Sequence, residues 1–323
     1  MHELRVGKND AGQRLDKFLL KTLRTCPPSL LYKSIRKKKI KVNRLRATPS
    51  QILSEGDSLQ LFLSEEFFTE DGTKTETSLS RIRVSLDILY EDANILLLHK
   101  RPGQSVHAGA EGDGEHLLGQ VQAYLYQKGE YDPAREQSFA PALCNRIDRN
   151  TEGIVIAAKT AEALRVMDEK IRAREVEKFY LAVVHGTPKQ PEATLHGYLR
   201  KDAEKNLVRV WDSDPPRGSK EILTRYRVLE TRGDLSLLEV QLLTGRTHQI
   251  RAHLAHIGHP LLGDGKYGVN RDDRARGYSY QALCAYRLRF RFTSEEPTAL
   301  DYLDGREFAI PRDDVYFVRE LFS

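Results

Sequence analysis

Asn145-Arg146-Ile147-Asp148-Arg149-Asn150-Thr151-Glu152-Gly153 runs straight into Ile154-Val155-Ile156-Ala157-Ala158. The unbroken apolar run predicts a buried strand, and the polar segment ahead of it is then the loop at the strand's mouth. Asp148 stands in that loop between Arg146 and Arg149. Nearby guanidinium groups favour the charged form of a carboxylate, and an ionised carboxylate can act as a nucleophile or stabilise charge. The plainer reading is that Asp148 caps a turn and the two arginines are solvated.

Outward from this strand the pattern alternates between element types. Thr160 caps a helix expected over Ala161 to Arg174, and strands are expected at Phe179 to Val184 and Leu235 to Leu243. Thr244 to Gly258 reads as a helix opened by a Thr cap, with Ile250, Leu254 and Ile257 on one face and a stop at Gly258 before Pro260. Upstream, Leu86 to Leu98 reads as strands broken at Glu91-Asp92. A long loop from Arg101 carries Gly109, Gly112 and Gly114, and helical spacing resumes at Leu117, Leu118, Val121 and Leu125. Many short strands with a few helices predict an α+β fold with a mixed, largely antiparallel sheet. No internal repeat is visible.

The 323 residues are enough for two domains. Hydrophobic residues at 40% and charged residues at 30% exclude a disordered or membrane-embedded chain. No apolar run approaches the roughly 20 residues that span a bilayer, and Met1 to Leu15 lacks the apolar segment of a secretory signal. A cytosolic protein is expected, with no membrane association. Cys26, Cys144 and Cys284 are odd in number and widely spaced, against a disulfide framework or a cysteine zinc site.

Charge is uneven. Residues 1 to 64 carry 14 Lys and Arg against 5 Asp and Glu, a surplus of +9, whereas the rest carries 37 against 41, leaving the chain at +5. Lys33, Arg36, Lys37, Lys38, Lys39, Lys41, Arg44 and Arg46 form a dense block, the footprint expected for binding a polyphosphate backbone, with a solvated face as the simpler alternative. In the same segment Leu15, Phe18, Leu19 and Leu23, then Leu30, Leu31 and Ile35, predict two short helices parted by Pro27-Pro28. Ile40 to Asn43 and the stretch after Glu55-Gly56-Asp57 add a small sheet. Residues 65 to 80 turn Glu, Thr, Ser, Asp and Gly rich and read as a linker. The expected domains are therefore 1 to 64 and 86 to 323, with 65 to 85 between them.

Two further segments stand out: Glu177-Lys178-Phe179-Tyr180-Leu181-Ala182-Val183-Val184-His185-Gly186 and Gly245-Arg246-Thr247-His248-Gln249-Ile250-Arg251-Ala252-His253. Arg251 lies three residues after His248, so the two share a helix face beside the apolar stripe. A guanidinium aimed inward needs a carboxylate, and Asp148 is the natural partner.

Asn145 to Gly153, Lys178 to Gly186 and Gly245 to His253, followed by Gly258-His259-Pro260-Leu261-Leu262-Gly263-Asp264, resemble in order the signature segments of the RluA-type pseudouridine synthase family. The resemblance runs from about Leu86 to the C-terminus. Residues 12 to 63 look like the small S-four-like RNA-binding domain that often precedes it. The resemblance implies an isomerase that detaches uracil from ribose in structured RNA, most readily large-subunit ribosomal RNA, and rejoins it through carbon. It implies Asp148 as the catalytic carboxylate, Tyr180 as the aromatic stacked on the target base, Arg251 as the partner of the aspartate, and Arg146 as the arginine inserted where the flipped uridine was.

No cofactor or metal is implied, and a monomer is expected. No phosphate-binding glycine motif is present; Gly263-Asp264-Gly265-Lys266-Tyr267 lacks the Ser or Thr such a loop requires. His248, His253, His256 and His259 crowd together without the H-E-x-x-H of a zinc site, and His248 is expected to cap or orient its helix. Three departures from the family pattern are Asn145 in place of His, Glu152 in place of a small residue, and Lys37-Lys38-Lys39 in place of a turn glycine. The rival readings are a ribosome-associated RNA-binding or assembly protein without catalysis and, more distantly, a metal-dependent hydrolase.

Overall fold

A computed structural model describes residues 1–68, 79–107, 116–202, 207–294 and 296–323. Gly72, Gly109, Gly112 and Gly114, on which the linker and loop expectations partly rest, lie outside these residues.

Near the N-terminus, strands β1 (His2–Arg5), β2 (Ile40–Val42), β3 (Leu45–Arg46) and β4 (Ser58–Leu61) form a sheet in the order β1-β4-β2-β3. Helices α1 (Leu15–Thr22) and α2 (Pro28–Arg36) pack on it. The apolar spacing does what it predicts: Leu15, Phe18, Leu19, Leu31 and Ile35 are buried together with Ile40, Leu59 and Leu61. Pro28 opens α2 at a position where no N–H is needed. β1 has no counterpart in the sequence reading, because its short, half-polar alternation carries little apolar signal. Asn43 and Arg44 both take left-handed backbone, the two-residue turn whose twist suits a tight hairpin. Lys38, in the turn that follows α2, also takes left-handed backbone, φ 60°, a conformation that favours glycine.

The larger sheet comprises β5 (Ile88–Glu91), β6 (Ile95–Lys100), β7 (Ala142–Leu143), β8 (Glu152–Ala158), β9 (Val176–His185), β10 (Glu192–Asp202), β11 (Leu207–Trp211), β12 (Lys220–Arg232), β13 (Leu235–Leu242), β14 (Leu283–Phe290) and β15 (Glu307–Ala309). Its main path is β11-β10-β12-β13-β9-β14-β8-β6-β5, with β15 on β14 and β7 on β8. β14 and β8 run parallel; the other pairings among the described residues are antiparallel.

β8 is buried along its whole length because both faces of the sheet are covered. On one face Ile154, Ile156 and Ala158 pack with α4 (Ala161–Arg172) and α6 (Tyr316–Phe322). On the other, Val155 and Ala157 pack with α3 (Leu117–Gln127) and α5 (Gln249–His256). Gly153 is what lets β14 approach: its φ is 128°, and a Cβ there would lie 2.4 Å from the Ala285 nitrogen.

Several boundaries move. Thr160 caps α4 through a 3.1 Å bond from the Ala163 N–H, but the helix ends at Arg172 and Arg174 turns left-handed. Thr244 does not cap α5. The helix begins five residues later, and the Thr244 hydroxyl is taken instead by Leu223 and Gln249. Within the segment read as linker, Leu79 is buried beside α3, and the Ser85 N–H donates to Gln120 at 3.0 Å. The N-terminal unit touches the larger one through polar contacts. The Ser138 hydroxyl donates to Asp10 at 2.6 Å, and Asn9 bonds Glu136 at 2.8 Å.

Candidate active site

The loop between β7 and β8 is tied down at both ends. Asn145, where a histidine is usual, accepts the Ile156 N–H at 2.7 Å and so stitches the start of the loop to β8. At the other end the Glu152 carboxylate, 1% exposed, meets His99 Nε2 at 2.8 Å and Arg101 at 3.6 Å, while His99 Nδ1 faces Asp87 at 3.3 Å. Both partners meet its Oε1, while the buried Oε2 has no hydrogen-bond partner among the described residues. Between these anchors the Thr151 N–H closes a turn onto the Asp148 carbonyl, and Thr151 takes a hydrogen bond from Gln281.

Beneath the loop lies Lys100, fully buried at the end of β6. Its ammonium donates to the carbonyls of Arg101, Gln104 and Arg149 at 2.9, 3.1 and 2.8 Å. Burial pushes it down to about 8, against the pull of the Asp148 and Glu152 charges. Sequence reasoning passed over Lys100, because nothing in its local pattern marks a buried lysine whose partners are carbonyls from two loops.

Asp148 is partly exposed and lines a cavity together with Arg146, Tyr180, His248 and Arg251. Arg251 Nη1 donates to Asp148 Oδ2 at 2.8 Å, and His248 Nε2 lies 3.7 Å from the same oxygen. Arg251 has a second carboxylate: Nε and Nη2 form a two-pronged pair with Asp264 at 2.8 and 2.9 Å. Asp264 is itself buried and accepts the Lys266 N–H at 2.9 Å. Burial opposes each charge, but the pairing wins, lowering Asp264 and raising Arg251. In the sequence Asp264 ends the Gly258 to Asp264 segment and stands in a failed phosphate loop, with no role of its own; its role as an anchor is set by Arg251, 13 residues away.

Tyr180 sits on β9 opposite Val240, 7% exposed, on the sheet face that carries α3 and α5. Burial, reinforced by the Asp148 charge, drives its phenol upward, so the hydroxyl stays protonated at neutral pH. That hydroxyl has no hydrogen-bond partner among the described residues. Arg146 is exposed at the rim, whereas Arg149 is held by its Nε on the Gly103 carbonyl at 2.9 Å.

The crowded histidines part company. His248 reaches the cavity, His253 is buried on Thr224, His256 faces Asp212, and His259 bonds the His185 carbonyl. His248 occupies the position before α5, yet its side chain makes no capping bond there. Among the described residues no group of three or more His, Cys, Asp or Glu side chains is arranged to hold a metal ion, and no helix is long and apolar enough to cross a membrane.

The basic residues are not at this cavity. Lys33 and Arg36 lie on α2, Lys37, Lys38 and Lys39 on the turn after it, Lys41 on β2, and Arg44 at the hairpin tip. All are exposed except Lys41, which is half-buried with its ammonium 5.7 Å from the Phe62 ring centre. None of them has an acidic partner among the described residues.

Comparison with known proteins agrees with this division. Residues 94–256 match the model for RNA pseudouridylate synthase, and residues 13–59 match the S4 domain. Ribosomal large subunit pseudouridine synthase C of Vibrio parahaemolyticus is 33% identical over 84% of this chain and 82% of its own length. Its namesake in Vibrio cholerae is 34% identical over 83% and 81%. Among solved structures, human RNA Pseudouridylate Synthase Domain Containing 1 shares the fold, with a TM-score of 0.55 at 24% identity over 71% of this chain and 84% of that one. A family match over half the chain, joined to relatives aligned along most of both lengths, makes this protein a member of the RNA pseudouridylate synthase family, the isomerases that convert uridine to pseudouridine in RNA.

Proposed function

We propose that this isomerase acts on large-subunit ribosomal RNA, as a cytoplasmic monomer, with Asp148 as its catalytic carboxylate. The observation that carries the assignment is the Asp148–Arg251–Asp264 chain opening onto a cavity beside a buried, unpaired tyrosine hydroxyl. The reaction breaks the bond from ribose to a ring nitrogen of uracil and makes a bond from the same sugar carbon to a ring carbon. A proton leaves that carbon, and the freed nitrogen gains one. Whether the carboxylate attacks the sugar, attacks the base or assists removal of a sugar proton, each route needs it ionised and held. Arg251 holds it: Nη1 donates to Asp148 Oδ2, and the pair with Asp264 fixes the guanidinium.

In this reading Tyr180 offers its ring to the base and a protonated hydroxyl for proton transfer, and Arg146 at the rim fills the gap left by the flipped uridine. Residues 1 to 64 serve as the RNA-binding domain, 65 to 85 connect, and 86 to 323 catalyse. The exposed, unpaired cations of α2 and the following hairpin suit an RNA backbone. For the substrate class, support comes from the names of the relatives, large-subunit synthases at 33% and 34% identity.

The test is to map pseudouridines in ribosomal RNA from cells with and without the gene. Loss of one or more large-subunit sites, restored by the wild-type gene, is expected; an unchanged large-subunit map with losses in transfer RNA would overturn the substrate assignment.

A further inference from the structure

His248 is not accounted for by the roles above, and its surroundings favour one tautomer by donor and acceptor logic. The Val208 N–H on β11 donates to the Tyr267 hydroxyl oxygen at 3.0 Å, and the Tyr267 oxygen lies 2.8 Å from His248 Nδ1. An N–H can only donate, so the tyrosine oxygen is the acceptor in the first bond, and its own hydrogen is free for the second. Giving that hydrogen to Nδ1 leaves every group of the hydrogen-bond chain paired; Nδ1 is then the bare nitrogen and the imidazole hydrogen sits on Nε2, which faces Asp148 Oδ2 at 3.7 Å.

His248 is held there by left-handed backbone, φ 55° and ψ 18°, uncommon for a residue with a Cβ. Arg251 addresses the same carboxylate oxygen, whereas Oδ1 has no partner among the described residues.

We propose that His248, locked as its Nε2–H tautomer by Tyr267, is a positioning residue for Asp148. Arg251 bonds Oδ2, the His248 Nε2–H flanks the same oxygen at 3.7 Å, and Oδ1 is left as the oxygen presented to the substrate. The inference rests on Asp148 being the catalytic carboxylate.

The groups facing His248 are Asp148 from the β7–β8 loop, Arg251 from α5, and Asp264, Lys266 and Tyr267 from the turn after it. Burial holds the imidazole below its ordinary value. Arg251 and Lys266 push the same way, and Asp148 and Asp264 oppose them. The ring is therefore neutral at neutral pH. Protonation would place a full positive charge against Oδ2 and draw charge from the carboxylate, so activity should fall on the acid side as His248 titrates. Tyr267→Phe removes the bond that favours the neutral ring and should move that acid limb to higher pH.

The experiment measures single-turnover release of tritium from transcribed large-subunit ribosomal RNA labelled at carbon five of uracil, beside RNA affinity and thermal unfolding. His248→Ala should slow the reaction roughly 30-fold with affinity within about twofold. His248→Gln, which returns an N–H near the place of Nε2, should recover to within about fivefold of wild type. Tyr267→Phe should raise the acid limb by about half a pH unit or more. Equal losses in the Ala and Gln variants, wild-type rates in both, or an unmoved acid limb in Tyr267→Phe would each overturn the proposal. Activity in Asp148→Asn would instead overturn the reading beneath it, so the two failures are distinct.

Discussion

At the scale of single residues, the site is organised around one guanidinium with two masters. Arg251 spends two of its nitrogens on the buried Asp264 and one on the partly exposed Asp148. Replacing it with Met strands the Asp264 charge in the interior, a loss of about 3–5 kcal/mol for a buried pair broken from one side. Urea unfolding should show that loss, while Arg251→Lys, which keeps charge but not the planar fork, should recover only part of it. A small change would contradict the picture of Asp264 as an anchor.

The pairing of Asp148 with Arg251 was legible because each stands in a short, patterned segment, whereas Tyr180 entered only through the family resemblance. Asp264, Lys100 and the His99–Glu152 contact were not, because their meaning depends on partners 13 to more than 50 positions away. No local spacing encodes such a pairing.

Among elements, the parallel contact of β14 with β8 depends on Gly153. A methyl group there would lie 2.4 Å from a backbone nitrogen and 2.5 Å from a carbonyl oxygen, neither of which can step aside as a side chain could. Gly153→Ala should therefore cost more than about 2 kcal/mol and reduce activity by displacing the loop that carries Asp148; thermal unfolding checks it.

A second junction is Glu91, where the end of β5 meets Tyr124 and Lys128 of α3 and Lys159 after β8. Burial alone would raise this carboxyl, but hydrogen bonds from Lys128, Lys159 and Tyr124 hold it at about 2, below its ordinary 4.5. A carboxyl depressed in the folded state stabilises above its unfolded pKa, and the benefit fades as pH falls toward the folded one. Glu91 should thus contribute up to about 3 kcal/mol above pH ~4.5, lost between there and pH ~2. In Glu91→Gln the stability profile should be flatter across that window; an identical slope would contradict the assignment.

Strands and helices were largely visible from apolar periodicity, since packing on both faces of the sheet rewards it. The start of α5 was not: Thr244 has the chemistry of a cap, but its hydroxyl is claimed by Leu223 on β12 and by the Gln249 side chain, and the chain reaches helical geometry only after the left-handed turn at His248.

For the whole molecule, the unequal charge seen in the sequence becomes a division of surfaces. The exposed cations of α2 and the adjoining hairpin lie on the N-terminal unit, apart from the cavity that holds Asp148. In full-length protein, replacing Lys33, Arg36, Lys37 and Lys39 with Gln removes four positive charges without touching the core. If each meets a phosphate, the slope of log affinity against log salt should flatten by about 3, with smaller change in the rate once RNA is bound. An unchanged slope would place the RNA backbone elsewhere.

The central claim is that Asp148 carries the isomerisation, and purified Asp148→Asn protein tests it most directly. Incubated in excess with transcribed large-subunit ribosomal RNA, the variant should form no pseudouridine at any position the wild type modifies, while binding that RNA within about threefold of wild-type affinity. Pseudouridine formed by the variant at a rate near that of wild type would contradict the account.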